Sequence, residues 1–298
     1  MTHPFHLPLW PVMVAAVLSA AAPALAQQKE TFAAATVIDA VLHKTAAPAE
    51  AVVPVAPAAP AQISAQPQCS APKQFARLDR PLTRTSRLLA AGLPIRIVAL
   101  GSSSTAGAGA SSPDASYPSQ LAIELRERFP DHEITVLNRG VNGEEAAEML
   151  ARFKTHVIDE RPDLVLWQVG TNAVLRDNPI EPASSLIEKG ISQLKALGVD
   201  VVLIDPQFTP KVIAKHKLAR MLDVLAFRAK QFNISVFQRF AVMRDWREHQ
   251  GIPFETFSAP DQLHMNDWSY ACVAKIMSTA IAEAATRPVA SAQARSLR

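Results

Sequence analysis

The 298-residue chain has little of the charge pattern that marks nucleic-acid binding. Its formal net charge is only +3, and no candidate helix carries a dense cluster of lysine and arginine. A basic patch or stripe is the electrostatic signature of a protein that binds DNA or RNA. The sequence therefore predicts no nucleic acid as a partner.

Two common glycine motifs are also missing. No Gly-Lys-Ser/Thr follows the glycines after residue 100, and Gly107 and Gly109 have no third glycine at the spacing of a dinucleotide-binding fingerprint. The Gly-x-Ser-x-Gly elbow of the α/β-hydrolases is absent as well. These absences argue against a phosphate-binding loop and against that hydrolase fold.

Cysteine is scarce, with only Cys69 and Cys272 in the whole chain. In an oxidising compartment an even pair suggests a disulfide, which here would join the start of the folded domain to its last helix. Two unrelated thiols are the alternative.

The first 26 residues contain no acidic or basic side chain apart from two histidines. They are apolar over 9–18 and end in Ala24-Leu25-Ala26, a small-x-small site of the kind that signal peptidase cuts. We therefore predict a signal peptide at 1–26 and a periplasmic or secreted protein with no stable membrane span after cleavage. The alternative is an uncleaved anchor, although Pro11 and Pro23 interrupt a short apolar stretch.

Residues 27–68 are rich in alanine and proline and contain almost no aromatic side chains. Repeated proline removes amide donors and favours extended chain, so this segment is predicted to be a disordered tether. The folded domain is expected at 69–288, followed by a flexible tail at 289–298. The sequence does not indicate the oligomeric state.

From residue 95 onward, short apolar runs alternate with segments of helical spacing. The runs predict five strands, at 95–100, 134–137, 164–169, 201–204 and 234–237. The helical spacings lie around 121–129, 147–158, 186–197 and 212–232, with a final helix from about residue 267. Continuous apolar strands separated by helices are typical of a parallel sheet covered on both faces. We expect a three-layer α/β/α sandwich with about five parallel strands.

Small and polar residues follow three of these strands and precede the last helix. They are the stretches GSSST at 101–105, NRGVNG at 138–143, GTN at 170–172 and DQLH at 261–264. Ligands of open parallel sheets bind at the carboxyl ends of the strands. The four stretches are therefore expected to meet at one edge of the sheet.

Their residue types suit acyl transfer. A serine hydroxyl needs a nearby imidazole to accept its proton, and the imidazole needs a carboxylate on its other nitrogen. Asp261 and His264, three residues apart in a turn, can supply both groups. A glycine N–H and an asparagine amide are suitable donors to the oxyanion of a tetrahedral intermediate.

In this order, the four stretches resemble the conserved blocks of the SGNH hydrolases, also called GDSL esterases and lipases. The resemblance covers about residues 95–285 and implies a flavodoxin-like sheet, ester hydrolysis through an acyl-enzyme, and no metal or organic cofactor. It assigns Ser103 as the nucleophile, His264 as the base and Asp261 as its orienting acid. The main-chain amide of Ser103, Gly140 and the side chain of Asn172 would form the oxyanion hole.

The chain departs from this pattern at two positions. Ser102 stands where the family usually has an aspartate, and Ala173 stands where an aspartate often follows the asparagine. Neither aspartate performs the chemistry, but the hydrogen bonds that stiffen the nucleophile loop must then come from Ser102 or Ser104. Gln207, after the fourth strand, is a candidate substrate-binding residue.

The resulting hypothesis is an exported serine esterase that removes small O-acyl groups, acetyl above all, from a carbohydrate of the cell envelope. A lysophospholipase, thioesterase or arylesterase of the same fold is the first alternative. A non-catalytic glycan-binding module is the second.

Overall fold

The structure is a computed structural model that describes residues 66–287. The predicted signal peptide at 1–26 and tail at 289–298 lie outside the described residues. So does the predicted tether at 27–68, apart from its last three residues.

The centre of the domain is a parallel sheet of five strands. Its order is β2-β1-β3-β4-β5, as expected for a flavodoxin-like sheet. The strands are β1 Ile95–Gly101, β2 Ile134–Gly140, β3 Leu164–Gln168, β4 Asp200–Ile204 and β5 Ser235–Phe237. The predicted strands and their parallel arrangement are confirmed.

Helices cover both faces of this sheet. In chain order they are α1 Thr83–Ala90, α2 Ser103–Ala106, α3 Tyr117–Arg128, α4 Ala146–Ala151, α5 Thr171–Leu175, α6 Ile180–Ala196, α7 Pro210–Ile213, α8 Leu218–Gln231, α9 Arg239–Glu248, α10 Phe254–Phe257 and α11 Asp267–Thr286. A 3₁₀ turn at Pro113–Ala115 and a π-helical turn at Lys154–Ile158 complete them.

Alternate residues of β1 belong to two separate hydrophobic clusters. Ile97 and Ala99 pack with side chains of α3, α9 and α11, whereas Val98 and Leu100 pack with side chains of α4, α6 and α8. Successive strand residues point to opposite faces of a sheet, so the consecutive buried apolar residues 97–100 must be covered on both faces. The result is the predicted three-layer sandwich.

Two predicted helices are interrupted in the structure. The segment 147–158 divides into α4 and the π-helical turn, and 212–232 divides into α7 and α8, separated by residues 214–217. The apolar spacing continues through both breaks, so periodicity alone does not reveal them.

Cys69 and Cys272 form a disulfide that joins the start of the described chain to α11, across a sequence separation of 203 residues. Within residues 66–287, no helix combines the length and apolarity that a membrane span requires.

Candidate active site

Ser103 lies where β1 ends and the one-turn helix α2 begins. As the first residue of α2, it has a main-chain N–H with no intrahelical acceptor. Ser102 and Ser104 on either side are only 2% and 1% exposed, whereas Ser103 is partly exposed. The three adjacent serines are therefore not equivalent, and the middle one is accessible.

His264 and Asp261 lie next to this serine, in the turn before α11. The Nε2 atom of His264 is 2.9 Å from Ser103 Oγ, and its Nδ1 atom is 2.5 Å from Asp261 Oδ2. The structure thus brings together, in a single line of hydrogen bonds, three residues that the sequence separates by up to 161 positions.

The second carboxylate oxygen of Asp261 is held by the turn itself. Oδ1 accepts hydrogen bonds from the main-chain N–H groups of Leu263 and His264, each at 2.9 Å. Partial burial acts to raise the pKa of Asp261, but these two amides and the imidazole outweigh it and lower the pKa to about 2. Asp261 is therefore ionised at neutral pH, as an acceptor for the Nδ1–H of His264 must be.

A glycine lets the chain after α2 approach the histidine turn. Gly109 has a φ of +88°, and a Cβ built on it would lie 2.3 Å from the carbonyl oxygen of Met265 and 2.9 Å from His264 Cβ. Both the positive φ and the close approach favour glycine. This packing places the segment that follows Ser103 directly against the turn that carries His264.

Gly140 pairs with Gly101 at the ends of β2 and β1. A Cβ on Gly140 would lie 2.1 Å from the main-chain nitrogen of Ala106, so this glycine packs against the backbone of α2. Its N–H donates to Asn138 Oδ1 at 2.9 Å. The structure thus places Gly140 beside α2, the helix that begins with Ser103, and the Gly140 N–H is hydrogen-bonded to the side chain of Asn138.

Asn172 follows β3 and lies in the first turn of α5. Its Nδ2 donates one hydrogen to the carbonyl oxygen of Glu144 at 2.8 Å. A primary amide has two hydrogens, so this bond fixes the side chain and leaves a second donor. Gly140 and Asn172 flank the end of β1 at the edge of the sheet where Ser103 lies.

Arg152 and Glu144 support this edge, and sequence reasoning missed them. Arg152 Nη2 donates to the carbonyl oxygens of Gly101 and Arg139, and its Nε lies 2.8 Å from a carboxylate oxygen of Glu144. The two side chains are only 11% and 13% exposed. The pair ties the ends of β1 and β2 to the loop that holds Asn172. A charged pair eight residues apart is too common a pattern in sequences to indicate that these two residues support the strand ends.

Ser102 and Gln168 provide the bonds that stiffen the nucleophile loop. Gln168 Oε1 accepts from the main-chain N–H of Ser102 at 2.9 Å and from its hydroxyl at 3.0 Å. Ser102, in place of the usual aspartate, thus donates one of these two bonds from its main chain and the other from its side chain. Gln168 was not predicted, because a single glutamine in an apolar run carries no signal of its partner.

The suggestion that Gln207 binds substrate is not supported by its position. The side chain is 1% exposed, and its amide bonds to Thr171, Leu263 and Arg239 inside the protein. Its Oε1 faces inward, where it accepts a hydrogen bond from the buried Arg239.

A cavity of about 480 Å³ lies beside the histidine turn. It is lined by Gln66, Gly109, Ala110, Ser111, Thr256, Asn266, Asp267 and Trp268. Among the described residues, no cluster of histidine, cysteine, aspartate and glutamate could hold a metal ion.

The strand order defines an SGNH hydrolase-like fold, with Ser103, Gly140 and Asn172 at strand ends and His264 in the turn before α11. A sequence model of the non-GDSL lipase-like family matches residues 68–287. The chain belongs to this family.

One relative in sequence and two similar solved structures show how far the likeness extends. An arylesterase from Vibrio mimicus is 35% identical over 95 residues, which are 32% of this chain and 46% of the arylesterase. A two-domain esterase active on acetylated mannans has a TM-score of 0.63 at 21% identity, over 75% of this chain and 59% of that one. An acetyl xylan esterase has a TM-score of 0.53 at 16% identity, over 63% of this chain and 100% of that one. This chain thus covers less than two thirds of the first two proteins, and the two structural likenesses show the fold alone.

Proposed function

We propose that the protein is a serine esterase that removes small acyl groups, acetyl above all, from a carbohydrate of the cell envelope. The observation that carries the esterase assignment is the line of hydrogen bonds from Ser103 Oγ through His264 to Asp261. The family and the named activities of the relatives support the same class of reaction.

In the proposed reaction, Ser103 Oγ attacks the carbonyl carbon of the ester while His264 Nε2 takes the hydroxyl proton. Asp261 holds the Nδ1–H tautomer and stabilises the imidazolium. His264 then protonates the leaving alcohol, and the acyl group remains on Ser103. Water, deprotonated by His264, hydrolyses this acyl-enzyme and releases the acid.

The oxyanion of each tetrahedral intermediate would accept hydrogen bonds from the Ser103 N–H, the Gly140 N–H and the second hydrogen of Asn172 Nδ2. The Gly140 N–H must be shared with, or released from, Asn138 Oδ1 for this purpose. The other two donors require no exchange of partner within the site, which is the condition for effective stabilisation of developing charge.

A carbohydrate substrate is supported by two observations. The neighbouring folds include esterases named for acetylated mannans and for acetyl xylan. The cavity beside the histidine turn also combines the ring of Trp268 with polar side chains such as Thr256, Asn266 and Asp267. An aromatic surface with a few hydrogen-bonding groups is a suitable lining for a sugar. The 35% identity to an arylesterase favours aryl esters as the second candidate.

The nucleophile is tested with p-nitrophenyl acetate. We expect Ser103→Ala to lower kcat by about 10⁴-fold or more, because no other group in the site can form the acyl-enzyme. The matched control is Ser112→Ala, an exposed serine in the same loop region, which should keep wild-type activity. A sulfonyl fluoride adduct mapped by mass spectrometry should lie on Ser103. Full activity in Ser103→Ala would refute the assignment.

The substrate is tested by a direct comparison of p-nitrophenyl esters of increasing chain length with acetylated polysaccharides and O-acetylated peptidoglycan. Acetate release from one of the carbohydrates at a higher kcat/KM than from the aryl acetate supports the proposal. A preference for long acyl chains, or for aryl acetates over every carbohydrate, contradicts it.

We also propose that the protein is exported to the periplasm or secreted. The small-x-small sequence at 24–26 and a disulfide between the only two cysteines of the chain support this, since disulfides persist in oxidising compartments. Cell fractionation followed by N-terminal sequencing should find a mature protein that begins at Gln27. A cytoplasmic protein that retains Met1 would contradict export, and a membrane-bound one that retains it would indicate an anchor.

A further inference from the structure

A set of buried polar side chains lies beneath the nucleophile loop and the histidine turn. Gln168, Thr171, Gln207 and Arg239 are each at most 4% exposed. Buried polar groups are costly unless they are hydrogen-bonded, and each of these four side chains makes hydrogen bonds inside the protein.

One end of the set holds the nucleophile loop and the other holds the histidine turn. Gln168 Oε1 accepts from the N–H and hydroxyl of Ser102, the residue before the nucleophile. Gln207 Nε2 donates at 3.0 Å to the carbonyl oxygen of Leu263, the residue before the histidine. Each glutamine thus forms a hydrogen bond to the main chain one position before a residue of the proposed triad.

Thr171 connects the two glutamines. Gln168 Nε2 donates to Thr171 Oγ1 at 3.4 Å, and Thr171 Oγ1 donates to Gln207 Oε1 at 3.3 Å. A hydroxyl has one hydrogen to donate and lone pairs to accept with, so both bonds can exist together. The bonds run in one direction, from the amide of Gln168 through the hydroxyl to the oxygen of Gln207.

Arg239 fixes the orientation of the second glutamine. Its Nη2 donates to Gln207 Oε1 at 3.1 Å, and its Nε donates to the carbonyl oxygen of Asp205 at 3.0 Å. A guanidinium has donors only, so Oε1 must face Arg239 and Nε2 must face Leu263. The opposite orientation of the amide would place two donors against each other.

We propose that Gln168, Thr171 and Gln207 form a buried link that sets the distance between the nucleophile and its base. Through Ser102 and Leu263, the link holds Ser103 Oγ and His264 Nε2 at 2.9 Å. The three side chains are positioning residues, since none of them touches the reacting atoms. This inference rests on the proposed function of the triad.

The central test removes the hydroxyl that joins the two halves of the link. Thr171→Val keeps the shape of the side chain but can neither accept from Gln168 nor donate to Gln207. We expect kcat on p-nitrophenyl acetate to fall roughly 10- to 100-fold with KM changed less than about twofold, because misplacement of reacting groups by about 1 Å has effects of this size. Thr171→Ser keeps the hydroxyl and should restore most of kcat.

A double-mutant cycle tests whether the two glutamines act through one link. Gln168→Met and Gln207→Met should each lower kcat. The double variant should have a kcat no lower than that of the slower single variant, because either substitution alone already interrupts the link. The matched comparison is Thr209→Val, which removes the other donor to the Leu263 carbonyl. Its effect should add to that of Gln168→Met.

Two outcomes would overturn the inference. The first is wild-type kcat in Thr171→Val. The second is additive effects of Gln168→Met and Gln207→Met, which indicate two independent supports. Retained activity in Ser103→Ala would instead refute the proposed function itself, so the two failures are distinguishable.

Discussion

The two sides of the candidate site are built in different ways. Ser103 follows a central strand, and its neighbours Ser102 and Ser104 are buried. Asp261 and His264 lie in a turn whose carboxylate is 44% exposed and is held mainly by amides two and three residues away. The nucleophile side thus depends mainly on contacts between distant parts of the chain. The base side combines local hydrogen bonds at Asp261 with the bonds from Gln207 and Thr209 to the Leu263 carbonyl.

Because of this difference, the positions of Ser103 and His264 are fixed by different parts of the structure. The position of a residue at the end of a buried strand is fixed by the whole sheet, because the close-packed core resists local displacement of the strand. A residue in an exposed turn keeps its place only while the turn and its attachments last. Substitutions of the site residues on the nucleophile side should therefore act on stability as well as rate, and substitutions of His264 itself mostly on rate.

The largest effect is expected at His264. His264→Gln removes the proposed base and its bond to Asp261 Oδ2 but leaves the two main-chain hydrogen bonds to Asp261 Oδ1. We therefore expect kcat to fall about 10⁴-fold or more with little change in the melting temperature. His249→Gln is a matched control, because His249 also lies near an aspartate, Asp245, at 3.2 Å, but at the surface end of α9. Equal losses in both variants would show that the pairing of His264 with Ser103 has no special role.

The next effect concerns the attachment of α11, the helix that follows the histidine turn. Replacing Cys69 and Cys272 by alanine opens a covalent loop of about 200 residues, which in the chain-entropy model removes about 5 kcal/mol of stability. Thermal unfolding of the double variant should therefore begin well below that of the wild type, and reduction of the wild type should have the same effect. An unchanged melting temperature after confirmed reduction would contradict the estimate.

A smaller loss of rate is expected at Asn172, on the sheet side. Asn172→Ala removes one proposed oxyanion donor, and changes of this type lower kcat about 10²- to 10³-fold, or about 3 to 4 kcal/mol. Because the side chain also bonds to the Glu144 carbonyl, we expect a measurable loss of stability too, unlike in His264→Gln. The measurement is kcat together with urea unfolding of both variants. A lower kcat in Asn172→Ala without a loss of stability would contradict the proposed difference between the two sides.

The smallest effect is the acid dependence of Asp261. Its pKa in the folded protein is about 2, below the ordinary value of 3.8, so the ionised form favours the folded state. This contribution is fully present above about pH 5 and is lost as the pH falls through the folded pKa. The stability difference between wild type and Asp261→Asn should therefore shrink from pH 6 to pH 2 in urea unfolding experiments. A constant difference over this range would be inconsistent with the lowered pKa.

Sequence patterns predicted the sheet because its strands are continuous apolar runs, which few other structures require. They also placed Ser103, Gly140, Asn172 and the Asp261–His264 turn at one edge, since parallel strands end together. Gln168 could not be predicted, because its partner Ser102 lies 66 residues away and only the folded chain brings the two together. Arg152 could not be predicted, because a charged pair eight residues apart, such as Arg152 and Glu144, is too common to indicate a role. Gln207 was placed at the correct strand end, but the buried Arg239 determines which way it faces.

The disulfide encloses every residue assigned to the site, from Gly101 to His264, within one covalent ring. A single proteolytic cut in any surface loop between Cys69 and Cys272 would leave both pieces bonded to each other. The nicked protein would migrate as one species until reduced, and its site residues would remain parts of one molecule. The disulfide thus keeps the site residues covalently joined after cleavage, in addition to any stability that it confers on the intact fold.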